Sequence, residues 1–236
     1  MSNEFRVMTS GAFTAAYKTL IPQIERITGK TVVTVTTSIG TGDISIPNRL
    51  KRGEVADIVI VADGVLRQFI ADGLVLAEGA TVIARSMMGF AVRAGSPDPQ
   101  IRTADDLKRA LLAAKGIGYS ASESGKYYTT EIVQRLGIAE QVLPKSRLVG
   151  GGERVGTVIA RGELDFGFQQ ISELLPVPGI AHITPLPPEL QKASLFTAGI
   201  GANSPDKDAS RKVITFLASA EACHAISDSG LEPVAG

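Results

Sequence analysis

The chain has 236 residues, 44% hydrophobic and 20% charged, enough for one large α/β domain or two of about a hundred residues each. Lys plus Arg and Asp plus Glu number 24 each, so no overall field attracts nucleic acid or an anionic membrane surface. Aromatic residues make up only 5% and tryptophan is absent, which argues against a stacking surface for single-stranded nucleic acid or sugars. An anion site in this chain therefore has to be built locally.

Metal, disulfide and membrane functions have little support in the sequence. Cys223 is the single cysteine, which excludes an intramolecular disulfide and a multi-cysteine metal cluster. His182 and His224 are far apart and lack the spacing of metal ligands, so structural roles are favoured for both. No apolar run approaches the roughly 20 residues that span a bilayer. We expect no metal, no cofactor and no membrane insertion.

Strands and helices alternate in the first third of the chain. The predicted order is strand, helix, strand, helix and strand, at residues 5–8, 12–27, 31–35, 44–51 and 57–61. The first helix has apolar residues three and four apart on one face, and Pro22 inside it predicts a kink or a restart. The last strand is a continuous apolar run, typical of a parallel strand that is covered on both faces.

The same alternation continues through the rest of the chain. Strands are predicted at 87–93, 116–119, 147–149, 165–169 and 195–200, with helices at 104–114, 125–136, 154–161, 206–218 and 220–228. This pattern indicates βαβ units and mostly parallel sheets. We expect two Rossmann-like α/β lobes, residues 1–83 with 197–236 and residues 84–196, with crossovers near 81–89 and 190–197. A single doubly wound sheet is the alternative.

Three Ser/Gly-rich turns follow predicted strands and precede predicted helices. They contain Ser10 with Gly11, Ser38, and Ser124 with Gly125. Backbone N–H groups and hydroxyls at a helix N-terminus form a ready anion site, although each turn alone is also explained as a helix cap or a flexible connector. None matches a phosphate loop, and the nucleophile-elbow pattern is absent. Their recurrence predicts a small anion gripped between two lobes.

Further candidate contacts lie in the second half of the chain. Lys126 follows the third turn, and a glycine-rich stretch leads to a second cation. The pair Gln169-Gln170 ends a strand whose other residues are apolar, and open α/β sheets bind ligands at that end of their strands. These observations add five ligand-binding candidates: Lys126, Gly151, Gly152, Arg154 and Gln170.

Several segments together resemble a known family. They are Ser10-Gly11-Ala12, Ser38, residues 53–58, 124–127, 135–137, 160–167, 216–219 and 230–233. With them the chain resembles the type II periplasmic (solute) binding proteins, in the branch of the molybdate-binding proteins of ABC transporters. The resemblance implies two lobes, a two-strand hinge, a cleft that closes over the ligand, and an ABC-transporter permease as partner. We expect a monomer. By position, the implied ligand contacts are Ser10, Ser38, Ser124, Gly152 and Gln170.

One position departs from the molybdate-binding pattern. Molybdate binders of the well-known type have a tyrosine where this chain has Gln170. A phenol donates one hydrogen bond, whereas an amide both donates and accepts, which suits a carboxylate or carboxylic acid better. We therefore expect an organic di- or tricarboxylate as ligand in preference to molybdate. Residues 169–176 are also similar to a sub-branch that includes aconitate isomerase.

Two functions thus remain open, and they differ in what they require. A solute-binding protein needs only donors for the anion, whereas an isomerase that moves a proton and a double bond in a tricarboxylate also needs a base. The candidate bases are Glu123, Lys126, Tyr127 and Glu153, and the sequence does not rank them. The expected location also has two alternatives. The protein is periplasmic if a signal peptide was removed, and cytoplasmic if the chain is native as given.

Overall fold

A computed structural model describes residues 3–40, 42–150 and 153–234. Its strands, numbered in chain order, are β1 (Glu4–Thr9), β2 (Thr31–Thr36), β3 (Ile58–Ala62), β4 (Thr81–Ser86), β5 (Met88–Arg93), β6 (Ile117–Ser120), β7 (Ser146–Val149), β8 (Phe166–Gln170), β9 (Ile180–Pro185), β10 (Ser194–Ile200) and β11 (Leu231–Pro233).

The α-helices are numbered in the same way. They are α1 (Thr14–Thr28), α2 (Ile46–Lys51), α3 (Asp63–Ala71), α4 (Ala104–Ala113), α5 (Glu123–Tyr127), α6 (Val133–Arg135), α7 (Ala139–Val142), α8 (Val155–Ala160), α9 (Ile171–Leu174), α10 (Lys207–Leu217) and α11 (Ala220–Asp228). A π-helical turn, Tyr128–Ile132, joins α5 to α6, and a 3-10 turn, Gly11–Phe13, precedes α1.

The chain divides into two compact units. Unit 1 consists of Met1–Ser86 and Ser194–Gly236, and unit 2 is Met87–Ala193. These divisions lie three residues from the boundaries expected after residue 83 and before residue 197. The chain therefore passes from one unit to the other at the junction of β4 and β5 and again just before β10.

Each unit contains one mixed sheet in which three neighbouring strands are parallel. In unit 1, the six-stranded sheet has the order β11-β4-β10-β3-β1-β2, and β1 pairs in parallel with both β2 and β3. In unit 2, the five-stranded sheet has the order β7-β6-β8-β5-β9, and β6 pairs in parallel with both β7 and β8. Because parallel strands end at the same edge, each unit gathers three strand-to-helix turns at one carboxyl edge.

Each sheet is covered on both faces by its own hydrophobic core. In unit 1, Ile58 and Ile60 of β3 belong to one cluster and Val59 and Val61 to another, as the two-residue period of a strand requires. In unit 2, β8 alternates in the same way. Phe168 stacks on Tyr128 at 4.7 Å between ring centroids, whereas Gly167 faces α8 so closely that a Cβ would lie 2.5 Å from Val155.

The helix that follows Ser10 differs in one respect from the sequence expectation. Pro22 lies inside α1, yet the helix is assigned without interruption from Thr14 to Thr28, so the expected restart is absent. Gly29 ends the helix in the left-handed conformation, at φ 65°. The helix α4 begins with a reciprocal capping box formed by Thr103 and Asp106.

Candidate functional site

Ser10 lies directly after β1 at the carboxyl edge of unit 1. Its backbone is fixed, since its N–H donates to Ile60 O at 2.8 Å and its carbonyl accepts from Thr14 Oγ1 at 3.0 Å. Its side chain does not cap the following helix, and Ser10 Oγ is buried without a hydrogen-bond partner among the described residues. The simple capping role is therefore not observed, and a buried hydroxyl is left beside the start of a helix. Gly11 is the first residue of the 3-10 turn.

The turn after β2 brings two further serines to this edge. Ser38 N donates to Thr36 Oγ1 at 3.2 Å, and Ser38 O accepts from Ile46 N at 2.7 Å. Ser38 itself is half-buried. Ser45 is fully buried, its Oγ has no partner within the described ranges, and it precedes α2 without capping it. Sequence reasoning missed Ser45 because it placed the helix at residues 44–51, with Ser45 inside the first turn, whereas α2 begins after Ser45.

An acidic residue directly follows the third parallel strand of unit 1. Asp63 follows β3, accepts from Thr197 Oγ1 at 2.9 Å and pairs with Arg67 at 2.7 Å. Burial acts to raise the pKa of this carboxyl, but the bonds from Arg67 and Thr197 outweigh it, so the pKa lies below its ordinary value. Arg67 and Thr197 therefore already stabilise the negative charge of Asp63.

A ring of three serine hydroxyls marks the corresponding edge of unit 2. Ser120 Oγ lies 2.7 Å from Ser122 Oγ and 3.2 Å from Ser124 Oγ, and the last two lie 3.0 Å apart. Ser124 is buried. The ring requires glycine at position 125, because a Cβ there would lie 1.7 Å from the carbonyl oxygen of Ser120. The close turn concentrates three hydroxyls at the start of a helical run.

The three candidate bases near this ring differ in their surroundings. Glu123 and Lys126 are exposed, and Lys126 O accepts from the hydroxyls of the next turn. Tyr127 is half-buried, and its hydroxyl donates to Leu190 O at 3.1 Å. Lys192 Nζ lies 5.2 Å from the centroid of the Tyr127 ring. Tyr127 is therefore engaged in packing and hydrogen bonding, whereas the side chains of Glu123 and Lys126 are exposed.

The turn after β7 is only partly described. Gly151 and Gly152, both predicted ligand contacts, lie outside the described residues. Glu153 is exposed and pairs with Arg161, 2.5 Å between Glu153 Oε1 and Arg161 Nη2. Arg154 is exposed and precedes α8. The candidate base Glu153 is thus tied to a surface cation.

The amide pair ends β8 at the same edge, and a polar group that was not predicted follows it. Gln169 and Gln170 are both buried, and Gln170 directly precedes α9. Gln169 bonds to the carboxyl of Glu173, while Gln169 Oε1 and Ser172 Oγ are buried without partners among the residues described. The structure places Glu173 on the short helix α9 after the strand, and the sequence gives no sign of an interaction between this side chain and Gln169.

Burial raises the pKa of the Glu173 carboxyl from 4.5 to about 7, against the opposing effects of the Arg154 charge and the Gln169 hydrogen bond. This carboxyl is half-protonated near neutral pH, which is the range in which a general acid or base works best. Glu173 is therefore a fifth candidate for proton transfer.

Glu173→Gln is expected to change how stability depends on pH. Because the folded pKa lies above the unfolded value, folding favours the protonated acid, and stability falls as pH rises from about 4.5 to about 7. This pKa shift corresponds to a loss of stability of roughly 3 kcal/mol at most. Glu173→Gln should not show this loss, because its amide does not titrate. Thermal unfolding of both proteins at pH 4.5, 6 and 8 measures the effect. The exposed Glu131→Gln is the control, and equal pH slopes in wild type and Glu173→Gln would contradict the prediction.

The structure brings the predicted contacts together in two sets. Ser10, Gly11 and Ser38 lie at the carboxyl edge of unit 1, and Ser124, Gly125 and Gln170 lie at that of unit 2. Among the described residues there is no group of three or more His, Cys, Asp or Glu suited to a metal ion. In the described part of the chain no helix has the length and apolarity needed to cross a bilayer.

Comparison with known proteins identifies relatives over nearly the whole chain. A family model described as bacterial extracellular solute-binding protein matches residues 5–232. An aconitate isomerase from Pseudomonas sp. is 36% identical over 229 residues, covering 97% of this chain and 87% of the relative.

Solved structures show the fold. The periplasmic molybdate-binding protein of Azotobacter vinelandii aligns with a TM-score of 0.78 at 15% identity, covering 96% of this chain and 98% of that one. The sulfate-binding protein SubI of Mycobacterium tuberculosis aligns with a TM-score of 0.76 at 18% identity, covering 98% and 87%. The expected type II periplasmic binding protein fold is confirmed, and the identities are too low for these two structures to indicate the ligand.

Proposed function

The chain belongs to the bacterial extracellular solute-binding proteins, and from this membership we propose that it binds a small organic di- or tricarboxylate. The observation that carries the proposal is the hydroxyl of Ser10, which is buried at the carboxyl edge of unit 1 and has no partner among the described residues. A buried hydroxyl without a partner is costly, and an anion oxygen would accept its hydrogen bond.

Unit 2 supports the same proposal with a different set of donors. The Ser120, Ser122 and Ser124 hydroxyls lie within 3.2 Å of one another at the start of α5, where the helix backbone favours negative charge. Gln170 is buried at the end of the neighbouring strand β8. We propose that the hydroxyl ring and Gln170 take part in binding, without a metal or cofactor.

The choice of a carboxylate in preference to a tetrahedral oxyanion depends on Gln170. An amide offers both a donor and an acceptor, so it can pair with a carboxyl group in either protonation state. The relative that is 36% identical to this chain is named for aconitate, a small tricarboxylate. Binding of molybdate, sulfate or tungstate is the competing outcome.

Calorimetric titration of the purified protein is expected to rank carboxylates above oxyanions. The panel is succinate, malate, citrate, tricarballylate, cis- and trans-aconitate, molybdate, tungstate and sulfate. Gln170→Tyr should shift the preference toward molybdate and tungstate by about tenfold or more, because it replaces an acceptor and a donor by one phenol. Nanomolar binding of molybdate by the wild type would contradict the carboxylate assignment, and binding tighter than millimolar by no member of the panel would contradict solute binding.

A second function, isomerisation of aconitate, is favoured by the similarity to the aconitate isomerase, which is 36% identical and aligns with 97% of this chain. The reaction needs a base that takes a proton from an acidic C–H and donors that stabilise the developing negative charge. Ser10, Ser38, Ser124 and Gln170 are the proposed donors, with Lys126 or Arg154 as countercharge. Glu123, Lys126, Tyr127 and Glu153 remain the proposed bases, joined by Glu173.

Incubation with cis-aconitate, followed by chromatography of the trans isomer, distinguishes the two functions. Conversion above the uncatalysed rate would establish an enzyme, and tight binding without conversion would leave a receptor. For a receptor, we further propose a location outside the cytoplasm and a transporter permease as partner, in keeping with the extracellular description of the family.

A further inference from the structure

The two amides at the end of β8 point to opposite faces of the sheet. Gln170 shares the face of Phe168, whereas Gln169 shares the face of Gly167, which packs against α8. Gln169 is 5% exposed and lies one residue before the end of the strand. Two neighbouring amides at one carboxyl edge thus have different surroundings.

The bond between Gln169 and Glu173 fixes which end of the amide is used. A carboxylate can only accept, so Gln169 Nε2 must be the donor to ionised Glu173. The carbonyl oxygen Oε1 therefore faces away from Glu173, where it is buried and has no partner in the described ranges. Gln169 is held with an unused acceptor at the carboxyl edge.

A buried acceptor needs a hydrogen-bond donor. Ionised carboxylates, sulfate and molybdate carry no hydrogen to give, but the hydroxyl group of a hydroxycarboxylate does. We propose that Gln169 Oε1 accepts a hydrogen bond from a hydroxyl of the ligand, and that Glu173 is the positioning residue that holds the amide in this orientation. The inference rests on the proposed carboxylate binding and narrows it to hydroxy di- or tricarboxylates.

The charged groups around Glu173 make this orientation dependent on pH. Arg154, which precedes α8, is the charged residue that acts on Glu173 in the described part of the chain. β5 and β9 also pack against α9, and their titratable residues, Arg93 and His182, are exposed. Protonated Glu173 becomes a donor, so the amide can turn and present Nε2 in place of Oε1. Preference for the hydroxyl should therefore weaken below a pH of about 7.

Citrate and tricarballylate provide a matched test, since they share three carboxylates and differ by one hydroxyl. At pH 8 the wild type is expected to bind citrate about tenfold more tightly than tricarballylate, the effect of one hydrogen bond. Gln169→Met, which keeps the side-chain length and removes the acceptor, should reduce the ratio to about twofold or less. Gln141→Met, on an exposed position, is the control and should leave the ratio unchanged.

Glu173→Gln tests the positioning role and also serves if Gln169→Met fails to fold. The citrate-to-tricarballylate ratio of the wild type should fall between pH 8 and pH 5.5, whereas Glu173→Gln should show a low ratio throughout. A citrate-to-tricarballylate ratio that is the same in the wild type, Gln169→Met and Glu173→Gln at both pH values would overturn the inference. A water molecule would then be the donor to Gln169 Oε1. Failure of the wild type to bind either tricarboxylate would instead count against the proposed function itself.

Discussion

Replacing Ser10 by alanine is expected to reduce carboxylate affinity about 10- to 100-fold and to leave the thermal stability of the protein unchanged or slightly higher. The hydroxyl makes no hydrogen bond within the described residues, so its removal breaks no hydrogen bond among them. In the complex it would donate to a charged oxygen, and such a bond contributes about 1.5–3 kcal/mol. A loss of affinity without a loss of stability is the signature of a binding group.

Thr14→Val is the matched control for Ser10→Ala. Thr14 Oγ1 donates to Ser10 O at 3.0 Å, so its removal leaves that carbonyl one donor short and should lower the free energy of unfolding by about 1 kcal/mol. Calorimetric titration with citrate and trans-aconitate, together with thermal unfolding, separates the two effects. A Ser10→Ala variant that unfolds at lower temperature yet binds with wild-type affinity would show that the hydroxyl serves packing.

Much of the fold could be predicted from the sequence because its signals are local. The apolar run at residues 57–61 and the three-and-four spacing of apolar residues in the first helix each follow from one period of one element. The helix α3 and the short strand β11 were not predicted. β11 has only three residues, and its pairing with β4 is a long-range contact that local periodicity does not reveal.

The candidate site was predictable only in part, for a related reason. Serines and glycines in turns after strands can be read directly, and topology then gathers Ser10 with Ser38 at one edge and Ser124 with Gln170 at another. Whether Ser10 caps its helix depends on a side-chain rotamer, which the sequence does not specify. The Gln169–Glu173 bond and the dehydration that raises the Glu173 pKa depend on packing between α8 and α9.

Gly125→Ala is expected to destabilise the protein strongly and to abolish ligand binding through unit 2. A Cβ at this position would lie 1.7 Å from the carbonyl oxygen of Ser120 and 2.8 Å from its carbonyl carbon. Both are backbone atoms at the end of β6, so the clash cannot be relieved by a side-chain rotation. The strand end or the first turn of α5 must move, and the Ser120, Ser122 and Ser124 hydroxyl ring must open with it.

Overpacking of this kind costs about 3 kcal/mol, which corresponds to a fall in melting temperature of about 6–12 °C for a chain of this size. Gly42→Ala is the control, because a Cβ at residue 42 has no heavy atom within 4 Å, and its melting temperature should stay close to that of the wild type. Thermal unfolding and titration with citrate measure both effects. The close approach of Gly125 to Ser120 both fixes the turn and holds the three hydroxyls together. A Gly125→Ala variant with wild-type stability and affinity would therefore show that this approach is not needed to build the site.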